Sequence, residues 1–145
     1  MGQQQLLLLT FGIIIVAIAT LAGISVFKLS EAQYEDDRER EKMLELVTEI
    51  QVWKIKPAIF GGGGNGNESD FSGFSLISIG LEASGNPGSS PYVQFENVGC
   101  FRFFLTASEL RINALDKDCV LGSWDKAIVV SGITHEDISW FLPTP

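Results

Sequence analysis

No Asp, Glu, Lys or Arg occurs in the first 27 residues, and this absence constrains the chain more than any other feature. From Leu6 to Phe27 the sequence reads LLLLTFGIIIVAIATLAGISVF, 22 residues in which Thr10, Thr20 and Ser25 are the only polar side chains. A helix of that length extends about 33 Å, roughly the thickness of a bilayer core. Lipid offers backbone groups no hydrogen bonds, so a single segment there must be helical. A removable secretory signal would begin with basic residues, run shorter and close on a small-residue cleavage site. Here nothing basic precedes the run, and it passes unbroken into a charged helical pattern, so it reads as a retained segment. The first basic residue, Lys28, lies on the far side of the run, although flanking Lys and Arg normally set the orientation of a membrane helix. The expectation is a processed product whose basic leader has been removed.

All 28 charged residues, 18 acidic and 10 basic, therefore fall in 28–145. The net charge of −8 disfavours direct nucleic-acid binding, which needs clustered Lys and Arg. A length of 145 residues suits one domain, and ten Phe with three Trp supply a core that a disordered chain would lack.

After Lys28 neither Gly nor Pro occurs until Pro57. Charges of both signs stand at helical spacing, with Glu35 and Glu39 beside Arg38 and Lys42, and this reads as a solvated helix face. Met43, Leu46, Val47, Ile50 and Trp53 then form an apolar stripe of 3.6-residue period, which should pack on a core. Residues 3–56 are thus expected to form one helix of about 80 Å. Pro57 and the glycines of 61–64 and 66 end it, by removing a donor and raising chain entropy.

Beyond Asn67 the pattern alternates, predicting strands over 71–79, 92–97, 101–106, 109–113, 120–124, 127–131 and 138–142, with a loop over 80–91. Short strands of this kind make one antiparallel sheet whose buried face needs a cover, and the 43–53 stripe is the long amphipathic element available. The fold class expected is α+β, a long N-terminal helix packed on a small antiparallel sheet. Four regions follow: 1–27 apolar helix, 28–56 amphipathic helix, 57–70 Gly/Asn-rich linker and 71–145 sheet domain. An even cysteine count beside an export-type segment favours a Cys100–Cys119 disulfide over two buried thiols. Two cysteines and one histidine argue against structural zinc.

No constellation carries catalysis. Gly61, Gly63 and Gly66 match GxGxxG formally, but a dinucleotide loop follows a strand and opens a helix, and this stretch does the reverse. Asn65, Asn67, Ser69 and Asp70 space their oxygens loosely like a calcium loop; no downstream acid completes it, and they read as a polar hinge. Residues 116–118 read as a solvated turn. Asn67 opens a glycosylation sequon with Glu68 and Ser69. His135 lies in a polar turn with no paired nucleophile, so it reads as a surface residue. The chain is expected not to be an enzyme and to hold no cofactor or metal.

An apolar N-terminal helix continuing as an amphipathic spine for a small sheet domain, with a disulfide near the C-terminal end, resembles the type IV pilin and pseudopilin superfamily. The likeness covers most of the chain and is sharpest in residues 2–27. There Gly2 and Gln3-Gln4-Gln5 before LLLLTFGIIIVAIATLAGI look like a class III signal segment, in which a dedicated peptidase cuts after a glycine and leaves the apolar helix in place. The resemblance implies a subunit held in the inner membrane, processed by a prepilin peptidase, methylated at a mature start of Met1 or Gln3, and stacked by an assembly machine into an extracellular filament of copies of itself. Typical pilins carry a glutamate at the fifth mature position; here no acid precedes Glu31. Counted from Met1 that place belongs to Gln5, which can hydrogen-bond an amine but cannot neutralise it. The polymerisation core expected is Gln5, Leu6, Leu9, Phe11, Ile13, Ile14, Val16, Ile18, Leu21, Ile24 and Phe27. A minor pseudopilin of a secretion system and a single-pass anchored surface domain that binds a partner are the alternatives.

Overall fold

The computed structural model describes residues 2–63, 70–84, 90–115, 119 and 124–141. One helix, α1 (Gly2–Ile55), precedes a five-stranded antiparallel sheet, so the fold is α+β. The chain divides into two compact units, Met1–Asp37 and Arg38–Pro145.

The first unit is helix throughout its described length. The three hydroxyls between Leu6 and Phe27 bond carbonyls one turn back: Thr10 Oγ1 donates to the Leu7 carbonyl at 2.8 Å, Thr20 Oγ1 to Ala17 at 3.1 Å and Ser25 Oγ to Ala22 at 2.8 Å. Folded onto the backbone in this way, the few polar groups of the segment leave its outer surface apolar.

In the second unit the remainder of α1 lies on a meander of β1 (Tyr92–Phe95), β2 (Gly99–Leu105), β3 (Leu110–Leu115), β4 (Trp124–Val130) and β5 (Ile138–Phe141), paired in chain order. Alternation sends Phe101, Phe103, Ile112, Ile128 and Val130 to one face, where they bury Met43, Leu46, Val47, Ile50 and Trp53. The stripe read from the sequence is therefore the core face of α1. The helix ends where Pro57 removes a donor; the short helix η1 (Ala58–Phe60) follows, and the Gly63 amide donates back to the Trp53 carbonyl at 3.0 Å. A Cβ at Gly63 would stand 2.6 Å from the Trp53 ring, so the chain can fold over that indole only with glycine there.

Two strand expectations are corrected. Residues 71–79 form a turn and the helix η2 (Leu76–Ile79), not a strand. The Asp70 carboxylate accepts the Ser72 amide at 2.8 Å and curls the chain, and Phe71, Phe74 and Leu76 enter the core from the turn. The strands expected at 120–124 and 127–131 leave out 125 and 126, yet β4 runs unbroken from Trp124 to Val130. Lys126 is on its core-facing side, where an ion pair with α1 accommodates it; residues 120–123 lie outside the described part.

Candidate functional site

Exposure of the apolar half of α1 is the feature with functional content. Leu6, Leu9, Phe11, Ile13, Ile14, Val16, Ile18, Leu21, Ile24 and Phe27 all lie outside the core, between 53% exposed at Ile24 and 78% at Phe27. Gln5 is likewise exposed on the same helix. A contiguous apolar surface of this size on a folded chain marks contact with a membrane or with other protein. By length and composition α1 can cross a membrane.

Around the other end of the unit-2 helix the polar groups serve the fold. Glu39 Oε2 accepts Lys126 Nζ at 2.7 Å, with side-chain exposures of 17% and 9%. Lys42 pairs with Glu45 at 2.7 Å and stands over the Phe95 ring at 4.5 Å. Lys54, only 6% exposed, donates to the Asp70 carbonyl at 2.8 Å and lies 3.6 Å from the Phe71 ring centroid. Lys42 and Lys54 each combine an anion or carbonyl with an aromatic face, which offsets the cost of placing a cation near the core. The charge pattern of 35–42 therefore does more than solvate the helix, since Glu39 reaches across to β4. Its sequence signal was Lys126 standing in alternation with Ile128 and Val130, on the core side of a strand.

The residues weighed for chemistry are dispersed. His135 is exposed in the short helix η3 (His135–Asp137). There Asp137 Oδ2 accepts the Thr134 amide at 2.9 Å and its hydroxyl at 2.6 Å, a capping box that holds the Asp137 carboxyl below the usual carboxylate range. Asp70 is lowered in the same way, chiefly by Ser72 and to a smaller degree by Lys54. Of the loose calcium-like set, Asp70 alone is described and it bonds Ser72; Asn65, Asn67 and Ser69 lie outside, as do the sequon and residues 116–118. Among the described residues no group of three or more His, Cys, Asp or Glu is placed to hold a metal ion. Cys100 and Cys119 are joined at disulfide distance, with Cα atoms 5.4 Å apart, and tether the β2 start to the chain after β3.

Compared with known proteins, the chain matches no family model, no curated protein and no solved structure.

Proposed function

We propose that this chain is the structural subunit of an extracellular, type IV pilus-like helical filament. Its apolar helix is held in the cytoplasmic membrane before assembly and against copies of itself afterwards. The observation that carries the reading is the exposure of every large apolar side chain from Leu6 to Phe27 in a chain whose sheet unit has a core of its own. Taking such a surface out of water is worth roughly 20–40 kcal/mol per subunit at about 1.5–3 kcal/mol for each large side chain, before entropy losses. Outside lipid that surface is satisfied by sister helices. A contact between different patches on successive copies does not close on itself and generates an open helical polymer. The apolar half forms the core of such a polymer and the acidic sheet unit its coat. Processing by a prepilin peptidase and extraction by an assembly machine belong to the same reading.

Leu21→Asp tests it. Electron microscopy of material sheared from cells should show filaments for the parent chain and none for the variant, with the sheet unit still folded. Filaments from Leu21→Asp would overturn the reading. Parent chain that stays with membranes and never enters sheared material would instead favour an anchored surface domain.

A further inference from the structure

Two apolar features of the second unit are left uncovered by its own core, one concave and one convex. The concave one is a cleft of about 440 Å³ beside η2. Phe74, Leu76, Phe103 and Leu110 line it with buried side chains, and the exposed Ile77 and Leu105 complete its apolar wall. A space of that size is in the range of small-molecule sites and admits one or two side chains. The convex feature is η1. Its backbone is pinned, with the Phe60 amide donating to the Pro57 carbonyl and the Gly61 amide to the Ala58 carbonyl, each at 3.0 Å. Gly61, at φ +80°, then turns the chain back toward Trp53. On this turn Ile59 is 85% exposed and Phe60 64%. A backbone already ordered by hydrogen bonds loses little further freedom when its side chains enter a partner.

The surroundings of the two features carry opposite charge. Lys56 is exposed immediately before Pro57. Glu82 and Glu109, also exposed, directly precede Ala83 and Leu110 of the cleft lining. Among the described residues none of these three takes part in an ion pair. We propose that η1 of one copy inserts Ile59 and Phe60 into the cleft beside η2 of a second copy, with Lys56 meeting Glu82 and Glu109 at the edge. The inference rests on the filament reading and names a contact between neighbouring sheet units. Each copy offers one knob and one cleft on different patches, so the contact can repeat from copy to copy without closing on a pair. Two apolar side chains would bind weakly between free molecules. Copies already gathered by their apolar segments meet at high effective concentration, where a weak contact suffices to fix register. A second copy suits the cleft because the chain itself supplies a group of matching polarity and opposite edge charge.

The test uses the full chain in assembly assays read by electron microscopy and sedimentation. Ile59→Glu with Phe60→Glu, at exposed positions, should lower the assembled fraction about tenfold or more, since each large side chain left in water forfeits a factor of that order. Lys56→Glu should lower it about twofold to fivefold at low salt and little at high salt, and adding Glu82→Lys with Glu109→Lys in the same chain should restore it. The contact itself is read by cross-linking. Copies carrying Ala58→Cys are mixed with copies carrying Ser75→Cys, both exposed small residues, and the assembled filaments are treated with a short bis-maleimide. Cys100 and Cys119 are joined to each other and do not react. Heterodimers should form in the mixture, and no dimers in filaments of either chain alone. Mixed filaments without heterodimers, parent-level assembly of the η1 variant, or a Lys56→Glu loss that the paired reversal does not restore would each overturn the inference and leave the filament reading intact. Should the cross-linking pair fail to assemble, the η1 variant decides, with circular dichroism checking its sheet unit. A parent chain that forms no filaments removes the reading itself. A stoichiometric apolar molecule extracted from parent filaments, where the mixture gives no cross-link, would assign the cleft to a small ligand and overturn the inference too.

Discussion

Two stretches of one helix are both rich in large aliphatic side chains, yet they have opposite fates. Between Met43 and Trp53 the stripe of Met43, Leu46, Val47, Ile50 and Trp53 is at most 4% exposed, buried on the sheet. Between Leu6 and Phe27 they surround the axis and are exposed throughout. The difference lies in pattern rather than in hydrophobicity. A stripe matches one face of one partner, so an intramolecular sheet satisfies it. A helix that is apolar all round needs surroundings on every side, which lipid or several sister helices provide and one small sheet does not.

The same substitution placed in each stretch gives the sharpest contrast. Ile50→Asp buries a carboxylate without a partner and should cost more than about 4 kcal/mol, abolishing the cooperative thermal transition of the sheet unit in circular dichroism. Leu21→Asp should leave that transition where it is while eliminating filaments. Equal losses of sheet stability from both would break the comparison. Replacing Cys100 and Cys119 together by Ser should lower stability by about 3 kcal/mol in denaturant titrations, because a 19-residue loop is no longer closed in the unfolded chain. Glu39→Gln leaves Lys126 on the core side of β4 with a weaker partner and should cost about 1–3 kcal/mol by the same measurement, the pair being only partly buried.

The smallest effect concerns pH. The folded pKa of Asp137 is depressed by Thr134, so its contribution to stability is complete above the ordinary carboxylate range and fades as pH falls through the depressed value. Thr134→Ala should move the Asp137 titration, followed by NMR, upward toward the ordinary value. An unchanged titration would show that the capping box does not set it.

Much of the molecule was legible because its elements have strong local causes. The helix could be read from an apolar run of bilayer length followed, after Lys28, by a stretch without Gly or Pro up to Pro57, and four hairpin strands from alternating apolar residues between turn-forming ones. Residues 71–79 misled because Phe71, Phe74 and Leu76 are buried as strand residues would be, while Asp70 and Ser72 bend the backbone by local hydrogen bonds. Lys126 fell between the strands expected at 120–124 and 127–131, although β4 runs through it. The carboxylate that makes it tolerable stands 87 residues earlier, and no local window contains both.

The sequence by itself determined where lipid or protein must surround the chain, because a run without charge is a property of consecutive residues and needs no fold to be seen. It also determined which side of the following helix would be buried, since the helical period is fixed by backbone geometry. Tertiary structure alone decided which distant charges meet, which strand edges pair, and that the turn at 70–74 turns inward rather than extending. Those outcomes depend on partners far along the chain, whose energies count only once the sheet has brought them within bonding distance.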